Sequence, residues 1–359
     1  MKTPTHRLFS TWLGIMTAYG HSIDNLGSGE SQNLVQRNLP LSGLAGSHFN
    51  TRCGPGAGVC ADNLCCSPSG WCGATINHCR SPDCQLDYSN GCDANRTPQG
   101  RPTTNLPRPH VGNVAYGRRA IYSCTVPKTL ALTFDDGPNR YTNDLLDLLD
   151  SYDAKATFFV TGVNSGKGQI DDFNLPWGKL IQRMHWSGHQ IGSHSWSHQD
   201  LSKVTPSVRQ DQILKNEAAL RNIMGGFPTY MRPPYSSCSL ESGCQDAVEE
   251  LGYHIIYFDL DTNDYNNDSP DLIQRSKDAF DQAMARRDRP DKPFLVISHD
   301  VHEQTVYNLT AYILEKARQN GYRAVTVGEC LGDPRDNWYR WDHDAVLFDS
   351  GNQSMKSRQ

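Results

Sequence analysis

Beyond residue 126 the chain alternates short apolar runs with amphipathic stretches. The runs at 130–135, 156–161, 254–259, 294–298 and 323–327 read as strands. Between them, Thr142–Tyr152 places Leu145, Leu146, Leu148 and Leu149 on one helical face, and Val208–Met224 predicts a second helix ending at Gly225-Gly226. Strands alternating with helices predict a parallel α/β sheet or barrel. Acids and histidines gather at strand carboxyl ends, which favours a barrel mouth.

The N-terminal third has a different pattern. Lys2, Arg7 and the apolar stretch Leu8–Ala18, with Ala18-Tyr19-Gly20 behind it, read as a secretory leader over 1–20. Residues 21–52 are rich in Ser, Gly and Asn and read as a flexible spacer. Eight of the chain's twelve cysteines then fall at 53, 60, 65, 66, 72, 79, 84 and 92. About forty residues cannot bury a sufficient core, so covalent staples must substitute for one. Zinc competes as an explanation, but paired Cys-x-x-Cys knuckles are absent and the adjacent Cys65-Cys66 suits disulfides. Pro98, Pro102, Pro107 and Pro109 make 93–126 an extended, semi-rigid linker. The catalytic unit is expected over 127–335, followed by a polar tail over 336–359.

Charge and hydropathy exclude some classes. A net charge of −5 over 359 residues offers no electrostatic reason to bind nucleic acid or an anionic membrane. No apolar run approaches the roughly 20 residues of a membrane span. An even cysteine number fits an oxidising compartment, as do the glycan acceptors Asn95, Asn267, Asn308 and Asn352, so an extracellular or cell-wall location is expected.

Five motifs carry the chemistry. Thr133-Phe134-Asp135-Asp136-Gly137-Pro138 ends a strand in paired acids and a turn; alone it equally suits a helix N-terminus. Gly192-Ser193-His194-Ser195-Trp196-Ser197-His198 puts two histidines four apart, on one face of helix or strand alike. With one of the two aspartates they form a three-ligand set with an open position, as catalytic zinc requires. Arg232-Pro233-Pro234-Tyr235, Asp261-Thr262-Asn263-Asp264-Tyr265 and Val296-Ile297-Ser298-His299-Asp300 follow. His185 and His189 read as packing or surface histidines. Asp300, His302 and Glu303 read as solvated.

This ordered set resembles the polysaccharide deacetylases of carbohydrate esterase family 4, and among them the fungal chitin deacetylases. The resemblance implies a distorted (β/α) barrel in which Asp136, His194 and His198 hold Zn2+, with Co2+ as an alternative. It implies Asp135 as general base, His299 as general acid, Arg232 paired with Asp135, and a Tyr235 backbone N–H at the oxyanion. Asp264 would orient His299, with Asp261 as its rival. Ile297 would line the acetyl pocket and Tyr265 the substrate cleft. Residues 53–92, through Cys65-Cys66-Ser67-Pro68-Ser69-Gly70-Trp71-Cys72-Gly73, resemble the hevein-like chitin-binding module. That likeness implies the pairs Cys53–Cys66, Cys60–Cys72, Cys65–Cys79 and Cys84–Cys92, and sugar contacts from Ser67, Trp71 and His78. Ser69 and His78 stand where relatives carry aromatics, which thins the stacking platform; Tyr88 is a further candidate. Cys238 with Cys244 would staple a loop, and Cys124 with Cys330 would tie the ends of the barrel.

The expectation is therefore a secreted monomer acting on chitin or chitooligosaccharides. Two rivals are a deacetylase of acetylxylan or peptidoglycan and a chitin-binding shield with a silent barrel.

Overall fold

The computed structural model describes residues 50–285, 291–347 and the pair 355–356. The expected leader, nearly all of the spacer and the Asn352 acceptor lie outside the described residues.

The sheet is built from β1 (Thr129–Asp135), β2 (Thr157–Val160), β3 (Gln190–Ser193), β4 (Tyr230–Met231), β5 (His254–Ile255), β6 (Leu260–Asp261), β7 (Phe294–His299) and β8 (Arg323–Val325). Their order is β5-β4-β3-β2-β1-β7-β6, with β8 also beside β1, and every pairing is parallel. The end strands β5 and β6 do not pair with each other. The sheet is thus a curled half-barrel, an open form of the distorted barrel. All seven residues of β1 are buried, as a parallel strand covered on both faces requires.

The helices α1 (Thr142–Ser151), α2 (Trp177–Trp186), α3 (Pro206–Met224), α4 (Cys244–Glu250), α5 (Ile273–Ala285), α6 (Thr310–Gln319) and α7 (Val327–Leu331) flank it. α3 starts two residues earlier than the apolar pattern suggests, because Thr205 accepts from the Val208 N–H and Pro206 occupies the first turn. It stops at Gly225, whose φ of 83° needs a residue without Cβ.

α3 also corrects two boundaries. Its buried polar side chains gather segments that the sequence assigns to a free linker. Glu217, fully buried, accepts from Thr103 Oγ1 at 2.5 Å, from Arg108 Nη1 and Nη2 at 2.7 Å each, and from the Tyr253 hydroxyl at 2.7 Å. Asn222 donates to the Gln99 carbonyl and Arg221 to the Arg101 carbonyl. Ile121 bridges to Ile256 in parallel, extending the sheet past β5. Residues 93–126 are therefore a strap on the barrel. Prolines favour extended backbone, but polar partners on α3 decide where it lies. The start of the expected tail is likewise packed: Tyr339–Trp341 pairs antiparallel with Gly226–Pro228, and Trp338 is buried.

The small N-terminal unit is held by Cys53–Cys66, Cys60–Cys72, Cys65–Cys79 and Cys84–Cys92; Cys124–Cys330 and Cys238–Cys244 lie in the barrel. The unit rests against the barrel. Ser165 N–H donates to the Ser81 carbonyl at 2.8 Å, Gln199 to the Pro82 carbonyl at 3.1 Å, and the Trp196 indole to the Ala94 carbonyl at 3.1 Å. Asn267 is a correction to the glycan expectation: its amide is buried and donates to the Asn263 carbonyl and to Ser276.

Removing one partner from a buried ion pair leaves the other charge uncompensated. Glu217→Ala should therefore lower unfolding stability by about 3–5 kcal/mol, read from denaturant or thermal melts, although Glu217 lies outside the candidate site.

Candidate active site

β1 delivers Asp135 at its last position, and β7 lies beside it in register, so that His299 is the direct neighbour of Asp135. The chain then turns at Asp136 with φ 75°, a left-handed conformation that a residue with Cβ adopts only when held. Lys167 is what holds it. Its ammonium, buried in the loop after β2, donates to the carbonyls of Asp136 at 3.0 Å and Gly137 at 2.9 Å. Burial pushes that ammonium down to about 7, against the opposing pull of Asp300 and Asp136.

The loop after β3 carries His194 and His198. His194 Nδ1 donates to the Arg232 carbonyl at 2.6 Å, which fixes the tautomer and leaves Nε2 as the free lone pair. Asp136 Oδ1 lies 3.7 Å from His194 Nε2 and 3.2 Å from His198 Nε2. One donor atom from each of the three falls within 4.8 Å of the others. Asp136 Oδ1 is buried with no hydrogen-bond partner, a costly arrangement unless a cation completes it. Burial works against charge on Asp136, but His198, His194 and His299 outweigh it and lower the carboxyl to about 2. Burial takes His194 down to about 4 and keeps it neutral. Neutral imidazoles with a carboxylate and an open side suit a divalent metal.

Asp135 is not equivalent to its neighbour. Its Oδ1 accepts from Arg232 Nη1 at 2.8 Å, and both side chains are almost fully buried. Arg232 spends its other donors on Thr133 Oγ1 and on the carbonyls of Ile256 and Tyr257. The remaining oxygen of Asp135, Oδ2, stands 3.8 Å from His194 Nε2, at the edge of the donor set.

The two candidates for supporting His299 are now separated. Asp264 Oδ1 accepts from His299 Nδ1 at 2.8 Å, and its Oδ2 accepts from the His299 N–H and from Thr305 Oγ1. Asp261 instead accepts from the Tyr265 hydroxyl at 3.2 Å and from Asn263 N–H at 2.7 Å. Burial opposes charge on His299, but Asp264, with Asp136 and Asp135 beyond, outweighs it and raises the imidazole to about 10.

One cleft of about 420 Å³ joins Asp135, Asp136, His194, His198, Arg232, Tyr235, Tyr265, Ile297 and His299. Tyr235 has φ 57°, its ring lies edge-on to His198 at 4.6 Å, and its N–H makes no hydrogen bond among the described residues. Tyr265 is half exposed, edge-on to His299 at 5.4 Å. Ile297 is a buried apolar wall. His185 and His189 stay outside the cleft: His189 is buried against Phe158, and His185 packs on Tyr339 and Trp341.

Two sequence readings change here. Asp300 is not solvated but fully buried, accepting from Thr142 Oγ1 at 2.5 Å, and a Cβ on Gly137 would strike its carboxylate. Lys167, Thr133, Phe258 and Thr305 were given no part in the site by their motifs, because their roles arise from packing across strands.

In the small unit, Trp71 is 40% exposed and Arg52 covers its ring at 4.7 Å. Ser67 is nearly buried, its hydroxyl bonded to Ser69 and to the Trp71 N–H. His78 lies over Gly73 and bonds Thr75.

Comparison with known proteins agrees with both units. Residues 122–256 match the family described as polysaccharide deacetylase, and residues 52–92 match chitin recognition protein. The chain is 45% identical over 220 residues to a chitin deacetylase of Colletotrichum lindemuthianum, covering 61% of this chain and 86% of that protein. It is 43% identical over 220 residues to one from Pestalotiopsis sp, covering 61% and 69%. The structure of the Colletotrichum lindemuthianum chitin deacetylase superposes with a TM-score of 0.58 at 42% identity, covering 64% of this chain and 98% of that one.

If Lys167 fixes the turn at Asp136, Lys167→Met should weaken divalent-metal affinity by about 10- to 100-fold. Competition against a metal-chelating dye, with circular dichroism as a folding control, reads this directly.

Proposed function

Because the chain belongs to the polysaccharide deacetylase family, we propose that it is a secreted, zinc-dependent chitin deacetylase that hydrolyses N-acetyl groups to give glucosamine units and acetate. The observation that carries the reading is the single cleft in which a three-donor set stands beside a buried Asp135–Arg232 pair and an Asp264–His299 pair. Chitin is favoured over acetylxylan or peptidoglycan by the chitin recognition unit on the same chain.

Asp136, His194 and His198 would hold the ion, which would supply a water nucleophile near neutral pH and polarise the acetyl carbonyl. Asp135 takes the proton of the attacking water, its carboxylate held in place by the Arg232 guanidinium. The Tyr235 N–H donates to the oxyanion. The leaving amine is poor until protonated, and His299, kept cationic by Asp264, supplies that proton. Ile297 walls the acetyl methyl, and Tyr265 contacts the sugar. Trp71, Ser67 and His78 engage the polymer at the recognition unit, which Arg52 and the buried Ser67 make a weak binder. The enzyme works outside the cell or in the wall, as a monomer.

Acetate release from chitooligosaccharides should vanish with a chelator, return with Zn2+ and in part with Co2+, and fall by about 10²- to 10⁴-fold in Asp135→Asn. Full activity in either condition would sink the mechanism. Rates compared on chitin, acetylxylan and peptidoglycan rank the substrates, and binding without turnover would favour the shielding role.

His299 is raised, so the protonated acid is present at neutral pH and is lost as pH climbs through its pKa. Asp264→Asn removes the largest raising influence. Its kcat–pH profile should lose activity at a distinctly lower alkaline pH than the wild type.

A further inference from the structure

A second cavity opens on the far side of the Arg232–Tyr235 turn. It has about 410 Å³, within the range of small-ligand sites, and it shares Ser236 and Phe258 with the metal cleft. Its other walls are Tyr122, Tyr257, Ser202, Gln245 and the segment at Cys238. None of its lining residues is ionised at neutral pH, in contrast to the acids and histidines next door.

Resting on the deacetylase reading above, we propose that this cavity is a subsite for a further sugar unit of the chain whose acetyl group sits in the metal cleft. Three features argue for that occupant. Tyr122 is 58% exposed on a folded surface, and its ring is backed by the buried Tyr257 at 5.0 Å, so one face is supported and the other is bare. A ring presented this way suits the C–H face of a pyranose. The polar groups are neutral and only partly satisfied: Gln245 donates to the Cys238 carbonyl and keeps its amide oxygen for a ligand, and the Ser236 hydroxyl is exposed at the rim. Neutral donors and acceptors around one aromatic face match a polyhydroxylated, uncharged ligand.

The third feature is continuity through a shaped ridge. Tyr235 and Ser236 both hold left-handed backbone, at φ 57° and 52°, and stand between the two cavities. Two such non-glycine residues in succession persist only where the surroundings over-determine them. The Cys238–Cys244 disulfide closes the loop immediately beyond, and Ser239 N–H is tied to Ser202 Oγ at 2.9 Å across the cavity. The loop that walls this subsite is thus fixed before substrate arrives, which lowers the ordering cost of binding.

The test compares wild type, Tyr122→Ala and Tyr122→Phe on the acetylated dimer and pentamer of chitin, with acetate as the readout. A dimer fills the metal cleft alone, whereas a pentamer extends past the ridge. Tyr122→Ala should raise KM for the pentamer by about 3- to 10-fold, leave dimer kinetics within twofold, and be rescued by Tyr122→Phe, which keeps the ring. An unchanged pentamer KM overturns the subsite. Equal losses on dimer and pentamer overturn it too, since the ring would then be supporting the metal cleft. A wild type that releases no acetate from either substrate overturns the deacetylase reading instead, a result the Tyr122 variants cannot mimic.

Discussion

The cleft depends on satisfying one buried charge. The Arg232 guanidinium is almost wholly removed from water, and a cation there is costly unless every donor finds a partner. Asp135, Thr133 and two backbone carbonyls together give each of its three nitrogens a partner, and Phe159 stacks beneath at 4.4 Å. Those partners come from β1 and from the two residues after β5, so the charge ties together carboxyl ends of strands that are not neighbours in the sheet. The carbonyl of the same residue also orients His194. One arginine therefore ties Asp135 to His194, and neither can shift alone.

A parallel logic governs the acid. Asp264 is fully buried and uses both oxygens, on the ring and backbone of His299 and on Thr305. Asp135 and His299, neighbours across β1 and β7, are thus each held by an opposite charge from a different strand end.

The recognition unit and its strap belong to this same framework. The Trp196 indole, between the two histidines, donates to Ala94, and Gln199, next to His198, donates to Pro82. Ser165, two residues before Lys167, donates to Ser81. The disulfide-bonded unit and the strap thus touch the loop that carries His194 and His198, and the unit also touches the loop that carries Lys167. The strap is anchored to α3 by buried polar groups, which explains why that helix carries Glu217, Arg221 and Asn222 among its buried positions.

The sequence by itself determined the alternating strands and helices, the two-unit division and the residues at the cleft. Those signals are local: apolar period, cysteine spacing and short motifs whose members are neighbours in the chain. It also read Asp300 as solvated and 93–126 as a tether, because polar and proline-rich stretches are usually wet. Burial is a property of what packs on top, and neither Glu217 nor Gly137 announces a partner more than a hundred residues away. The choice between Asp261 and Asp264 was open for the same reason, since both stand in one motif at the end of β6 and only the fold brings one of them to His299. What tertiary structure alone decided was how each buried charge is met: Lys167 on the turn at Asp136, Thr305 on Asp264 and Thr133 on Arg232. Long-range compensation of this kind leaves no periodicity to read.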